Sequence, residues 1–211
     1  MTISAVLAPL PRADGSATFK SGLTTVIASV SGPMEVRARE ELPDKAFIEV
    51  IVRPACGVGS TRERALEARL LSAISPVIIR SHHPRMCIQI NIQLVEAEDH
   101  SDTTAILPAV INATMLALVD AGTPVNGILV STLVETEGGR HVLAFEKGRC
   151  VLAESQGEFE MEELEQAVKE GGRRCTIEKD EEMMETDEQT VGMAIREAIE
   201  KKVKMDMRWR E

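Results

Sequence analysis

From Thr103 to Val119 the chain carries no charged residue. A segment apolar on every side of a helix has to be buried. It is slightly short for a membrane span and holds Pro108 and Asn112, so it reads as a core helix of a soluble domain, and no membrane association is expected. The stretch before it, from Met86, alternates: Ile88, Ile90, Ile92 and Leu94 fall on one face, Gln89, Asn91 and Gln93 on the other. That period marks a half-buried strand. Glu98-Asp99-His100-Ser101-Asp102 joins the two, with Asp102 as the expected N-cap. Asp120-Ala121-Gly122 ends the helix, with Gly122 just past it. This strand–loop–helix unit, Met86 to Gly122, is the expected core, and its loop decides whether the chain has chemistry.

Composition limits the partners. Aromatics are 2% and Tyr is absent, so the core is aliphatic and base stacking has few platforms. The net charge of −10 excludes a surface that binds nucleic acid everywhere. The charge is uneven. From Glu154 onward there are 18 acids and 10 bases, against 16 and 14 before it. Between Arg53 and Arg85 lie six Arg, no Lys and two acids. Cys56, Cys87, Cys150 and Cys175 are widely spaced, which fits a reducing intracellular compartment and disfavours a zinc site. The N-terminus lacks the basic-then-apolar pattern of a secretory leader.

The first fifty residues read as β. A short strand runs from Gly15 to Phe19, and another from Thr25 to Val30 is stopped by Gly32-Pro33. Phe47 to Val52 is nearly continuous apolar, as for a central strand buried on both faces. Ser60-Thr61-Arg62-Glu63 is a capping box opening a helix. Leu66, Leu70, Ile74, Val77 and Ile78 form its buried stripe. The second half repeats the order of strands, then helix. Val125 to Glu135 is a strand, and Val142–Phe145 with Cys150–Ala153 makes a hairpin about Lys147-Gly148. Gln156-Gly157 turns, and Phe159 to Glu170 is an acidic helix broken by Gly171-Gly172. A last helix spans about Thr186 to Trp209.

Arg62 and Arg69 lie on nearly one line of the capped helix, and Arg80 joins them if Pro76 only kinks it. Such a row, with Arg53 and Arg64 nearby, tracks phosphates or forms a solvated flank with Arg–Glu pairs. His82-His83 reads as a turn pair rather than a metal site. The acidic runs Glu158–Glu165 and Glu178–Glu188 read as solvated faces.

The ordered motifs Asp14-Gly15-Ser16-Ala17, Gly22-x-Thr24-x-Val26, Val30-Ser31-Gly32-Pro33, Ile51-Val52-Arg53-Pro54, Thr61-Arg62-Glu63 and Asn112-Ala113 to Gly122 resemble the RNase PH family. The resemblance covers nearly the whole chain and is strongest from Asp14 to Val134. It implies an α+β fold of the RNase PH (ribosomal protein S5 domain 2-like) type. That is one domain over residues 1–211, with pseudo-symmetric sheet-and-helix halves of about 1–122 and 123–211.

Active members of that family phosphorolyse RNA from its 3′ end. They hold phosphate in a Gly-Gly-Thr-Arg loop that enters the buried helix. Backbone amides at a helix start, with an Arg fork, suit a phosphate. Aligned back from Asp120, this loop reads Thr104-Ala105-Ile106-Leu107, so Leu107 stands for the Arg and both Gly are gone. Glu96, Glu98, Asp99 and Asp102 add repelling charge. The family's Asp-bearing segment after Val125–Glu135 has no counterpart around Glu137-Gly138-Gly139-Arg140-His141. Arg62 alone matches a family substrate contact.

The resemblance therefore implies a non-catalytic subunit of the RNA exosome core ring, without cofactor or metal. The expected partners are other RNase PH-like subunits (a heterodimer with ribosomal RNA-processing protein 43), S1/KH cap proteins, a hydrolytic exoribonuclease and threaded RNA. The expected location is nucleus and nucleolus, and also cytoplasm. Arg53, Arg62, Arg64 and Arg69 are the RNA-contact candidates, and Arg37, Arg39, Gln89, Asn91 and Gln93 the interface candidates. Two alternatives stay open: an active phosphorolytic 3′-exoribonuclease, and a free homodimeric RNA- or DNA-binding protein.

Overall fold

The computed structural model describes residues 3–97, 102–176 and 190–210. In chain order the elements are β1 (Ile3–Leu7), β2 (Gly15–Ser21), β3 (Thr24–Glu35), β4 (Phe47–Arg53), α1 (Thr61–Ile74), β5 (Met86–Glu96), α2 (Thr103–Asp120), β6 (Leu129–Glu135), β7 (Gly139–Glu146), β8 (Arg149–Gly157), α3 (Met161–Cys175) and α4 (Val191–Asp206). Short 3-10 turns cover Arg80–His82 and Arg208–Arg210.

The uncharged segment is α2, and it sits in the middle. Its length and composition would let it cross a membrane, yet 78% of that window is buried inside the protein. A five-stranded sheet, ordered β1-β2-β3-β5-β4, lies against it, and so does a three-stranded sheet, ordered β6-β7-β8. All pairings are antiparallel except β4 with β5. Ala17, Phe19, Val26, Ala28, Val30, Ile88, Ile90 and Ile92 form the inner face of the larger sheet. They join one cluster with α2 and with Leu129, Val130, Val142 and Leu143 of the smaller sheet. At Gly15 the contact is so close that a Cβ would lie 2.3 Å from the Ala117 carbonyl oxygen, so only glycine lets β2 meet α2 there.

One polar residue inside α2 explains how the smaller sheet docks. Asn112 is buried, and its side-chain amide pairs with the Ser131 backbone as a strand would, each bond 2.8 Å long. Asp102 caps α2 and Gly122 follows its C-cap with φ +66°, both as the sequence predicts. The capping box of α1 is present in full. Lys147 and Gly148, both at positive φ, turn β7 into β8.

Several boundaries differ from the sequence reading. β1 has no distinct sequence signal, because it is five residues long, its inward Ile3, Ala5 and Leu7 are only half-buried, and Val6 on its other face is apolar yet exposed. β3 runs on past Gly32-Pro33, which is absorbed as a shift in register between Ser31 and Met34. β4 is an edge strand, not a central one. Ile48 and Val52 are buried inward, while Phe47 and Ile51 are half-buried on the other face, so its apolar run reflects two partly covered faces. β6 begins only at Leu129, and Val125 makes an isolated bridge to Ile78. Gln156-Gly157 stays within β8. α3 passes through Gly171-Gly172, because a Cβ at Gly171 would lie 2.6 Å from a Leu143 methyl and the bare backbone is what packs there. α4 starts at Val191 with Thr190 as N-cap. Residues 177–189, which hold the whole Glu178–Glu188 run, lie outside the described residues.

Candidate functional site at the mouth of α2

Asp102 closes the start of α2. Its Oδ1 accepts from the Thr104 amide at 2.9 Å and from the Ala105 amide at 3.4 Å. Its Oδ2 accepts from Arg140 Nη1 at 2.6 Å. Arg140 Nε in turn pairs with Glu135 at 3.0 Å. A helix start gathers unpaired N–H groups and partial positive charge, which is why anions settle there. Here the anion is the chain's own carboxylate, clamped by a guanidinium from β7.

The next two residues tie the mouth to other elements. Thr103 Oγ1 accepts from Arg69 Nη1 at 3.0 Å, and Arg69 Nη2 reaches Glu154 at 2.9 Å. Thr104 Oγ1 donates to Gln156 Oε1 at 2.9 Å. Residues of α1, α2, β7 and β8 thus close on one point. Both arginines there already face carboxylates. Nothing in local sequence period marks Arg140, Glu154 or Gln156. Only an N-cap Asp in need of a cation points toward them.

The stretch Thr104–Leu107 is not a loop. It forms the first turns of α2, with Ile106 and Leu107 in the core at 2% and 0% exposure. Leu107 therefore does not face the mouth, and the helix begins a turn earlier than the motif alignment implies. Glu96 accepts from Thr25 Oγ1 at 3.3 Å. Glu98 and Asp99 lie outside the described residues.

The arginine row divides. Arg53, Arg62 and Arg64 are exposed at the end of β4 and the start of α1, and none makes an ion pair among the described residues. Arg69 is turned to the mouth instead. Arg80 leaves the row altogether, because α1 stops at Ile74. Its Nε binds the Ala46 carbonyl at 2.9 Å and its Nη1 the Ser75 hydroxyl at 3.3 Å. Beside Arg62, the Ser60 hydroxyl and amide both donate to Glu63, and these bonds hold its carboxyl below the usual range.

The amide row lies on the face of the larger sheet turned away from α2. Gln89 Nε2 donates to Glu49 at 2.7 Å, Asn91 Nδ2 to Gln89 at 3.4 Å, and Gln93 Nε2 to the Pro54 carbonyl at 2.9 Å. Arg37 and Arg39 are exposed between β3 and β4, at the opposite end of the sheet from Arg53. In the smaller sheet, His141 is buried between the Ser155 and Thr136 hydroxyls, 2.8 and 3.2 Å away. Burial pushes the Cys175 thiol up to about 12.

A family model described as "3′ exoribonuclease family, domain 1" (RNase PH) matches residues 2–124. The chain belongs to the RNase PH family. Among curated members, it is 36% identical over 202 residues to the exosome complex component RRP46 of Saccharomyces cerevisiae, covering 83% of this chain and 91% of that protein. It is 43% identical over 113 residues to the exosome complex component rrp46 of Schizosaccharomyces pombe, a match spanning 54% of this chain and 48% of that protein. The crystal structure of rice Rrp46 superposes with a TM-score of 0.70 at 26% identity, over 80% of this chain and 86% of that one. A chain of an archaeal exosome core superposes at 0.67 with 16% identity, which speaks to fold alone. The RNase PH-like α+β fold expected from the motifs is the fold found.

Proposed function

We propose that this RNase PH-family chain is a non-catalytic subunit of an RNA exosome core ring, serving 3′-to-5′ RNA processing and degradation by helping to form the channel through which RNA passes. The likeness to RRP46 of budding yeast, over 91% of that protein, supports ring membership. The observation that carries the non-catalytic reading is Asp102. Its carboxylate takes the Thr104 and Ala105 amides and the Arg140 guanidinium, the groups that would otherwise hold a phosphate. A second anion brought to that point meets a carboxylate at contact distance, with Glu135 and Glu154 beyond it.

In this reading the partners are other RNase PH-like subunits, with ribosomal RNA-processing protein 43 as the paired one, together with S1/KH cap proteins and a hydrolytic exoribonuclease. Arg37, Arg39 and the face bearing Gln89, Asn91 and Gln93 serve subunit contacts. Arg53, Arg62 and Arg64 face RNA. The complex works in nucleus, nucleolus and cytoplasm.

Native mass spectrometry of the assembly purified through this chain tests membership. A ring of different RNase PH-like chains with cap proteins is the expected result, and a homodimer is the result that sinks it. Incubation of the pure chain with RNA and inorganic phosphate tests the chemistry. No nucleoside diphosphate should appear; its release, abolished by Arg62→Ala, would reinstate a phosphorolytic enzyme.

A further inference from the structure

The chain's single tryptophan stands in an unusual place. Trp209 is 78% exposed in the short turn after α4, between Arg208 and Arg210. From Lys201 to Arg210 there are five bases and one acid, in a chain of net charge −10. Lys202 anchors the start of this arm, reaching Asp120 at the C-terminal end of α2 at 3.6 Å. Beyond it, Lys204, Met205, Met207 and Arg208 are all exposed, as is Val203. The arm leaves the body at the other end of α2 from Asp102, about 27 Å away for 18 residues. It is thus separate from the mouth and its arginines.

Two kinds of partner suit cations mixed with apolar side chains. A helix that docks in a protein groove presents its anchors along one stripe. This arm does not. Val203 and Met207 share a side, while Met205 lies about 200° round from Val203. A single strand of nucleic acid needs something else: an exposed aromatic plane for a base, with cations within reach for the flanking phosphates. Trp209, Arg208, Lys204 and Lys201 supply that set. The last turn of a helix also favours cations, which keeps the charges gathered there.

We propose that the segment Lys201–Arg210 is a binding site for single-stranded nucleic acid, with Trp209 stacking on a base and Lys201, Lys204 and Arg208 holding phosphates. This does not rest on the ring reading, since a free protein would carry the same arm.

Trp209 is its own reporter. Titrating the full chain with a short oligouridylate at low salt should quench its fluorescence. Binding followed by the anisotropy of labelled RNA should weaken about tenfold in Trp209→Ala and recover in Trp209→Phe. It should also weaken in Lys204→Glu/Arg208→Glu, and the wild-type affinity should fall steeply between about 50 and 200 mM salt. These positions are exposed, so circular dichroism should show the variants folded. Absence of quenching at low salt overturns the proposal, as does RNA affinity unchanged in Trp209→Ala. Equal quenching by polyglutamate assigns the arm to acidic protein partners instead, and a blue shift with anionic vesicles matched by none with RNA assigns it to membranes; either result also overturns it.

Discussion

Asp102 and Arg140 meet at 2.6 Å although 38 residues separate them in the chain. One caps α2 and the other sits on β7, so this pair fastens the smaller sheet to the helix that the larger sheet also covers.

Removing the carboxylate should loosen that fastening without creating an enzyme. Asp102→Ala loses the cap and leaves Arg140 with Glu135 alone, at a cost of about 1–2 kcal/mol. Chemical denaturation followed by circular dichroism measures it. Phosphorolysis should stay absent, because neither glycine nor a free arginine is restored.

Leu107→Arg makes the opposite point. On motif alignment this change rebuilds the family's phosphate-binding residue. In the structure the side chain is fully buried, so a guanidinium there has no partner and costs about 3 kcal/mol or more. Loss of soluble folded protein is expected. A stable variant that phosphorolyses RNA would show the helix start to be misplaced.

Asn112→Leu tests the docking of the smaller sheet. The change keeps the branched outline of the side chain, with somewhat more bulk, but strands the buried Ser131 N–H and carbonyl, each worth about 1–3 kcal/mol. Unfolding free energy should fall by about 3 kcal/mol. Asn112→Asp, which keeps an acceptor for the Ser131 N–H, should cost less than Leu only where the acid can be protonated, so the gap between the two should widen as pH falls.

The capping box of α1 gives a pH signature. The Ser60 hydrogen bonds depress the folded Glu63 pKa from its ordinary 4.5. Glu63 therefore adds stability above the unfolded value, and that contribution is lost as pH falls through the folded value. Glu63 is largely solvated, so the effect is screened to about 0.5 kcal/mol or less. Glu63→Gln should lower stability at neutral pH and flatten its acid-side slope. An unchanged slope in thermal melts between pH 5 and about 3 would count against the box.

What the sequence discloses follows from how local each signal is. α2, β5, the Ser60–Glu63 box, Asp102 and Gly122 were legible because one segment carries the whole pattern. The edge position of β4 was not, since its period is blurred by cover on both faces. Gly171-Gly172 reads as a break only until Leu143 is seen packing on it. The mouth was half legible: Asp102 as a cap is local, whereas Arg140, Glu154 and Gln156 reach it only through the pairing of β7 with β8. Leu107 shows the cost of aligning a motif without a helix start, because burial, not charge, defines that position.

Ser131 takes both its outward backbone bonds from the Asn112 side chain, and at the other sheet the Val52 amide donates to Glu67 at 2.9 Å. Each of these groups is what an incoming strand would seek at an edge. At both points it is already occupied by a side chain from a helix. A neighbour therefore cannot extend β4 past Val52 or β6 past Ser131 without displacing that side chain. Whatever meets the protein at these two points has to do so through side-chain surfaces and loops, and so with a choice of partner that sheet continuation, being blind to sequence, does not offer.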